Sequence, residues 1–131
     1  MEKNYKSKLF KIKTFIFDVD GVLTDGKVIV TTEGEMYRAL DTKDGYAIKY
    51  AMMKGFKIAI ISGGTNEGIR NRFQALGVKD IYLGAHEKSA AYDELVNNYK
   101  LKPDEILYIG DDIPDIPLIK EVGVSCCPSD A

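Results

Sequence analysis

Four short segments of the sequence combine acidic, hydroxyl or basic side chains with glycine, and each follows an apolar run. Their candidate reactive residues are Asp18 and Asp20; Ser62 and Gly63; Lys88; and Asp111, Asp112 and Asp115. Carboxylates spaced i, i+2 project to the same side of an extended chain. Several such charges in one small space are unfavourable unless a cation compensates them. Mg²⁺ prefers oxygen ligands and fits best where a phosphate completes its shell.

The residue types also match the needs of phosphoryl transfer. A carboxylate that attacks phosphorus forms an aspartyl-phosphate and divides hydrolysis into two easier steps. A second carboxyl group two residues on can protonate the leaving oxygen and later accept a proton from water. A hydroxyl and a cation, here Ser62 and Lys88, stabilise the transferring group. We therefore predict a Mg²⁺-dependent phosphatase site, and the alternative for any single carboxylate is an exposed turn residue.

The elements that position these residues alternate between strand and helix. Continuous apolar runs predict strands at residues 15–17, 57–61, 81–83, 106–109 and 124–127. Helices are predicted at residues 41–54, with Asp44 as a possible N-cap, and at 65–76, 88–100 and 115–122. This pattern indicates a parallel sheet covered on both faces, with ligands at the carboxyl ends of its strands. We predict one α/β domain over residues 1–131.

Composition excludes several classes of partner. The formal net charge is −2 and Lys plus Arg number 18 against 20 Asp plus Glu, so nothing suggests nucleic-acid binding. No apolar run approaches the roughly 20 residues that a membrane helix needs, and the basic start lacks the apolar core of a secretory signal. We expect a cytoplasmic protein that binds no membrane. Cys126 and Cys127 are expected to be small packing residues on the last strand.

The four motifs resemble those of the haloacid dehalogenase superfamily of phosphatases. They read DVDGV from Asp18, Ser62 after the second strand, Lys88 opening a helix, and GDDIPD ending at Asp115. The resemblance implies a Rossmann-like three-layer sandwich with Asp18 as nucleophile and Asp20 as general acid/base. It further implies residues that grip the phosphate, namely Ser62, Gly63 and Lys88.

The same resemblance implies a Mg²⁺ site. Its ligands would be Asp18, the main-chain carbonyl of Asp20, and Asp111. Asp112 and Asp115 would support the metal from behind.

Residues 27–40 show two strand-like runs around a turn at 32–34, which predicts a β-hairpin. Most members of the superfamily that the chain resembles insert a cap domain, but only about two dozen residues separate Asp20 from Asp44 here. The resemblance therefore implies that the hairpin is a flap in place of a cap domain. With the runs KDGYAI, ISGG and YIGDD, it resembles the family of 3-deoxy-D-manno-octulosonate 8-phosphate (KDO8P) phosphatases. That family's activity, in lipopolysaccharide precursor biosynthesis, and its homotetramer with hairpins in a central barrel would follow. A hairpin folded back on its own domain is the alternative.

Two departures from this family concern substrate recognition. Gly64 stands where the family often has Arg, so we expect Arg70 or Arg72 to contact the sugar acid's carboxylate. Gly64 also leaves nonulosonate 9-phosphates of the KDN or sialic acid type open as substrates. We further expect the family's C-terminal tail to be absent. Another small phosphomonoester such as phosphoserine, or a degenerate assembly domain, are the competing functions.

Overall fold

The structure is a computed structural model that describes residues 5–130. Its strands are β1 (Thr14–Phe17), β2 (Ile29–Val30), β3 (Met36–Tyr37), β4 (Lys57–Ile61), β5 (Asp80–Tyr82), β6 (Ile106–Ile109) and β7 (Val124–Cys126). Its helices are α1 (Tyr5–Leu9), α2 (Thr42–Met53), α3 (Glu67–Leu76), α4 (Lys88–Tyr99) and α5 (Ile116–Glu121). Short 3₁₀ turns at Pro103–Glu105 and Ile113–Asp115 precede β6 and α5. Among the described residues, no helix is long and apolar enough to cross a bilayer.

Five strands form one parallel sheet in the order β5-β4-β1-β6-β7. The chain starts in the middle at β1, builds outward through β4 and β5, and then returns to the other side for β6 and β7. Strand order therefore reverses beside β1, which is where a ligand crevice is expected in an open parallel sheet. The predicted α/β sandwich with a central parallel sheet is confirmed.

The sheet is covered on both faces, as the continuous apolar strands require. On one face, Ile16 and Tyr108 pack against Leu95 of α4 and Leu118 of α5. On the other face, α2 and α3 cover Ile60. Ile16, Ile60, Leu95 and Tyr108 have no exposed surface, so the strands are held rigidly between two helical layers. This rigidity is what fixes the direction of the side chains that follow the strand ends.

The predicted hairpin forms, but its ladder is much shorter than residues 27–40. Only β2 and β3 pair, with Ile29 opposite Tyr37 and Val30 opposite Met36. Thr31 and Glu35 close the turn, where the Thr31 N–H donates to the Glu35 carbonyl at 2.9 Å and the Thr31 hydroxyl oxygen accepts the Glu35 N–H at 3.1 Å. The paired side chains are exposed.

Three sequence predictions need correction at the ends of elements. Asp41, not Asp44, caps α2, because its carboxylate accepts the Lys43 N–H at 2.7 Å. α3 begins at Glu67, since the Asn66 side chain caps it by accepting the Gly68 N–H at 2.7 Å. Both are Asx caps, in which the side chain satisfies an amide of the first turn. Cys126 and Cys127 are exposed rather than packed.

Candidate active site

The carboxyl ends of β1, β4 and β6 place the predicted reactive residues around one cavity. Strand pairing continues past β1, where the Asp18 N–H donates to the Ile109 carbonyl at 3.0 Å. It continues past β4 as well, where the Ser62 N–H donates to the Tyr82 carbonyl at 2.8 Å. The resulting cavity has a volume of about 400 Å³, and its lining includes Asp18, Asp20, Ser62, Gly63, Gly64, Lys88, Asp111, Asp112 and Asp115.

Lys88 is the electrostatic centre of this cavity. Although it carries an ammonium group, it is only 6% exposed, because it opens α4 directly beneath the strand ends. Its Nζ lies 3.1 Å from Asp18 Oδ1 and 2.6 Å from Asp115 Oδ1. A buried cation between two buried carboxylates compensates part of their mutual repulsion. Lys88 therefore stabilises the acidic cluster, and its ammonium group lies next to the carboxylate of the nucleophile candidate, Asp18.

Asp115 is fully buried and already has a complete set of donors. Oδ1 accepts from Lys88 and from the Tyr108 hydroxyl, while Oδ2 accepts the N–H groups of Asp111 and Asp112 at 3.1 and 3.2 Å. Burial alone would raise the pKa of Asp115, but the hydrogen bonds from Lys88 and Tyr108 outweigh it and the pKa is lowered. Asp115 is thus an ionised scaffold for the loop that carries Asp111.

The donor set fits a hard divalent cation. Oxygens of Asp18, Asp111 and Asp115 all lie within 4.8 Å of one another. Because the Asp115 oxygens are occupied by four donors, Asp18 and Asp111 are the carboxylates suited to contact Mg²⁺ directly. Asp115 contacts the main chain of the loop that carries Asp111, and its expected support of the metal stays a prediction. Asp112 differs, since its exposed side chain accepts the Ile113 N–H at 2.7 Å and caps the following turn.

Gly21 explains how Asp111 comes so close to the first motif. A Cβ on Gly21 would lie 1.8 Å from Asp111 Oδ2, which is far inside van der Waals contact, and its φ of +83° is in the left-handed region. Only glycine satisfies both conditions without strain. The turn after β1 therefore brings Asp18 and Asp111 together through a residue with no side chain.

The nucleophile candidate sits in a poorly solvated position. Asp18 is 6% exposed, and Oδ1 accepts the Val19 N–H at 2.8 Å. Desolvation raises the pKa of its carboxyl to about 6, despite the opposing effect of Lys88. A divalent cation would favour the ionised form. A carboxylate that is buried beside a cation is suited to act as a nucleophile toward an electrophile.

Ser62, Gly63 and Gly64 contribute a hydroxyl and main-chain amides to the lining of the same cavity. Ser62 is 3% exposed, and its hydroxyl oxygen accepts the Gly64 N–H at 3.2 Å. The Gly64 carbonyl in turn accepts the Gly84 N–H at 2.8 Å, which ties this loop to the end of β5. A hydroxyl and glycine amides in a fixed turn can donate to phosphate oxygens.

Arg38 is a site residue that the sequence analysis did not find. It follows β3, yet its side chain is only 7% exposed, and its guanidinium forms an ion pair with the Asp20 carboxylate. The two contacts run from Nε to Oδ1 at 2.6 Å and from Nη2 to Oδ2 at 3.2 Å. The alternation of polar and apolar residues along the hairpin predicts that Arg38 lies on a strand, but it does not predict how close Arg38 lies to Asp20. Only the folded hairpin brings the two together.

The expected substrate arginines lie elsewhere. Arg70 donates to Glu67 at 2.9 Å and to the Ile81 carbonyl at 3.0 Å, which directs it along α3 and toward β5. Arg72 lies between α2 and α3, where its Nη2 would be 3.0 Å from a Cβ on Gly45. Neither lines the cavity that contains Asp18. His86 is exposed and does line it.

The sheet topology and the four strand-end motifs together define a hydrolase of the haloacid dehalogenase type. The profile of the haloacid dehalogenase-like hydrolases matches residues 35–123, and the chain belongs to this family.

Its relatives are more specific. The chain is 34% identical over 125 residues to the KDO8P phosphatase KdsC of Escherichia coli K12, covering 95% of this chain and 66% of that protein. It therefore spans slightly less than two thirds of that relative's length.

Solved structures give the same picture. The Yersinia pestis KDO8P phosphatase superposes with a TM-score of 0.92 at 34% identity, covering 95% of this chain and 68% of that one. The Moraxella catarrhalis enzyme, solved with magnesium, phosphate and KDO, superposes with a TM-score of 0.90 at 31% identity, covering 95% and 72%. The recognised likeness to KDO8P phosphatases is confirmed.

Proposed function

We propose that this chain is a Mg²⁺-dependent phosphatase that hydrolyses KDO8P to the free sugar acid and phosphate, in the cytoplasmic supply of lipopolysaccharide precursors. The observation that carries the proposal is the convergence of Asp18, Lys88 and Asp111 at three strand ends beneath a short hairpin. Identity of 34% to KdsC over 95% of the chain supports the substrate assignment.

The proposed reaction uses residues whose positions suit their roles. Asp18 attacks phosphorus and the bond to the leaving oxygen breaks, while the Asp20 carboxyl gives that oxygen a proton. Asp20 then takes a proton from water, which attacks the phosphoaspartate, releases phosphate and restores Asp18. Bound Mg²⁺, held by Asp18, the Asp20 main-chain carbonyl and Asp111, would screen the charge of the phosphate from that of the nucleophile.

The remaining residues would hold the phosphoryl group in line. Lys88 presents its ammonium 3.1 Å from Asp18 Oδ1, within reach of an oxygen of a phosphate placed for attack. Ser62 and Gly63, which line the same cavity, would donate hydrogen bonds to the phosphate oxygens. Because Asp20 is paired with Arg38 in this structure, its carboxyl must turn from the hairpin toward the leaving oxygen before it can act.

A phosphate-release assay with Mg²⁺ tests the assignment. The substrates are KDO8P, a nonulosonate 9-phosphate and phosphoserine at equal concentration. We expect the highest kcat/KM with KDO8P, and equal weak rates on all three would refute a sugar-acid phosphatase. A preference for the nonulosonate would establish the second candidate, which Gly64, in place of the arginine that KDO8P phosphatases often have, leaves open.

We also propose that the active form is a homotetramer. Ile29, Val30, Met36 and Tyr37 expose 70%, 63%, 44% and 52% of their surface, although they pair in a ladder of only two residues per strand. Exposed apolar strands of this kind are normally covered by a partner. Light scattering should give four times the chain mass, and Ile29→Asp should shift it to smaller species. A monomeric wild type at assay concentration would contradict the assembly.

A further inference from the structure

Two cavities meet at the phosphate-binding loop. The catalytic cavity of about 400 Å³ and a second cavity of about 560 Å³ beneath the hairpin share Gly63, Gly64 and His86 in their walls. In the proposed reaction, the substrate's phosphate would lie in the first cavity, beside Asp18 and Lys88. The leaving group attached to that phosphate then has the second cavity as its adjoining space, so the side chains there can select among leaving groups.

Arg38 stands at the boundary between the two cavities. Its side chain is buried, and among the described residues that line the hairpin cavity it is the one Arg or Lys. Glu35 is the acidic residue of that lining, and its carboxylate accepts the Tyr37 hydroxyl at 2.9 Å. Arg38 is therefore the guanidinium in the wall of the hairpin cavity that can pair with an anionic group of a ligand.

The present partner of Arg38 is the carboxylate of Asp20, which in the proposed reaction turns toward the leaving oxygen. A guanidinium presents two parallel N–H groups that match the two oxygens of a carboxylate, and Asp20 is held in this way at 2.6 and 3.2 Å. When Asp20 turns toward the leaving oxygen, the buried guanidinium loses its partner, which is unfavourable.

We propose that Arg38 is a specificity-determining residue that binds a carboxylate on the leaving group of the substrate, replacing Asp20 on its guanidinium. This role rests on the proposed phosphatase function and assigns the residue that recognises the substrate beyond its phosphate. Gly64 lies directly beside this guanidinium, since a Cβ there would be in ordinary contact with Arg38 Nη2 at 3.4 Å.

The test compares Arg38→Gln with wild type on two alkyl phosphates, KDO8P with a carboxylate and glucose 6-phosphate without one. Both leaving oxygens need the proton from Asp20, so an effect transmitted through Asp20 lowers both rates. We expect kcat/KM to fall about 10- to 100-fold for KDO8P, as for a lost charge-assisted hydrogen bond, and less than about threefold for glucose 6-phosphate. Equal losses on both substrates, or no loss on either, would overturn the proposal.

A matched control removes a positive charge at the opposite end of the sheet. Lys13 precedes β1, its side chain is 73% exposed, and it pairs with Glu105 at 3.2 Å. Lys13→Gln changes the net charge equally and should leave both substrates unaffected. Thermal melting of each variant shows whether it is folded. If Arg38→Gln does not fold, Arg38→Lys replaces it, because lysine keeps the charge but lacks the two parallel N–H groups of the guanidinium. Arg38→Lys should give an intermediate loss of kcat/KM for KDO8P.

Relocation of the cation gives an independent result. Gly64→Arg in the Arg38→Gln background returns a guanidinium to the same boundary, and the backbone at residue 64 accepts a Cβ in ordinary contact. We expect about a tenfold recovery on KDO8P alone. Recovery on both substrates, or on neither, counts against carboxylate recognition. If the wild type is inactive on KDO8P, the proposed function is refuted instead. The ratio of kcat/KM between wild type and Arg38→Gln, on any carboxylate-bearing phosphate that the wild type does hydrolyse, would still test the role of Arg38.

Discussion

The Gly21→Ala variant should show how the geometry of the metal site depends on residue 21, when its effect on Mg²⁺ binding is compared with its effect on the stability of the fold. A Cβ at residue 21 would lie 1.8 Å from Asp111 Oδ2 and 2.7 Å from its Cγ, whereas ordinary contact begins near 3.4 Å. The carboxylate must therefore retreat by about 1.5 Å, or the turn must open by as much. Displacements of about 1 Å in a reacting constellation can lower rates by roughly 100-fold.

The expected losses are specific. Mg²⁺ affinity should weaken about 10- to 100-fold, the range found when the support of a metal ligand is removed. Phosphate release at limiting Mg²⁺ should fall at least as much. Alanine at a φ of +83° should also reduce the free energy of unfolding by about 1–2 kcal/mol. Mg²⁺ affinity is measured by calorimetry, and stability by urea unfolding without metal.

Gly55→Ala is the matched control. Gly55 has a φ of +95°, and no atom lies within 4 Å of its added Cβ, so the backbone strain is similar and the contact with Asp111 is absent. This variant should lose stability and keep its Mg²⁺ affinity. If Gly21→Ala binds Mg²⁺ as tightly as Gly55→Ala does, the close approach of Gly21 and Asp111 does not shape the site.

Three further predictions follow from the buried cluster. Asp18→Asn should abolish turnover in phosphate-release assays while the melting temperature stays near or above that of wild type; near-normal activity would exclude the covalent mechanism. Lys88→Met should lower the free energy of unfolding of the metal-free protein by about 3–5 kcal/mol, because it leaves two buried carboxylates without their cation. Urea unfolding measures this loss, and a loss below about 1 kcal/mol would contradict the prediction. Because burial raises the pKa of Asp18 to about 6, its neutral form stabilises the metal-free fold below about pH 4, and this stabilisation is lost as pH rises through 6. Mg²⁺ binds the ionised carboxylate, so the rise in Tm that it causes should be small near pH 5 and larger near pH 7, and a constant rise would refute the shift.

The sequence predicted the sheet and the strand-end residues because both depend on local pattern. Continuous apolar runs identify buried parallel strands, and the parallel arrangement then forces Asp18, Ser62 and Asp111 to one edge. Lys88 was found in the same way, since it opens a helix directly after a strand-end loop. The prediction of Mg²⁺ rested on the carboxylate oxygens expected at that edge and on the phosphate expected to complete the shell of the ion.

The contacts that depend on side-chain reach were not predictable. Arg38 and Asp20 are 18 residues apart, and nothing in the local pattern of either reports their pairing. Arg70 and Arg72 have the right charge in a plausible helix, but helix rotation directs them to Glu67 and to the space beside Gly45. The cap of α2 was misassigned because Asp41 and Asp44 are chemically equal and only the geometry of the first turn distinguishes them.

The position of Lys88 has a consequence for the order of events in the life of the protein. With its ammonium between Asp18 and Asp115, the acidic cluster is partly neutralised before any ion arrives. We therefore expect the chain to fold without Mg²⁺ and to bind the ion afterwards. Metal loading then becomes a reversible step of the mature enzyme, set by the free Mg²⁺ concentration rather than by the moment of synthesis.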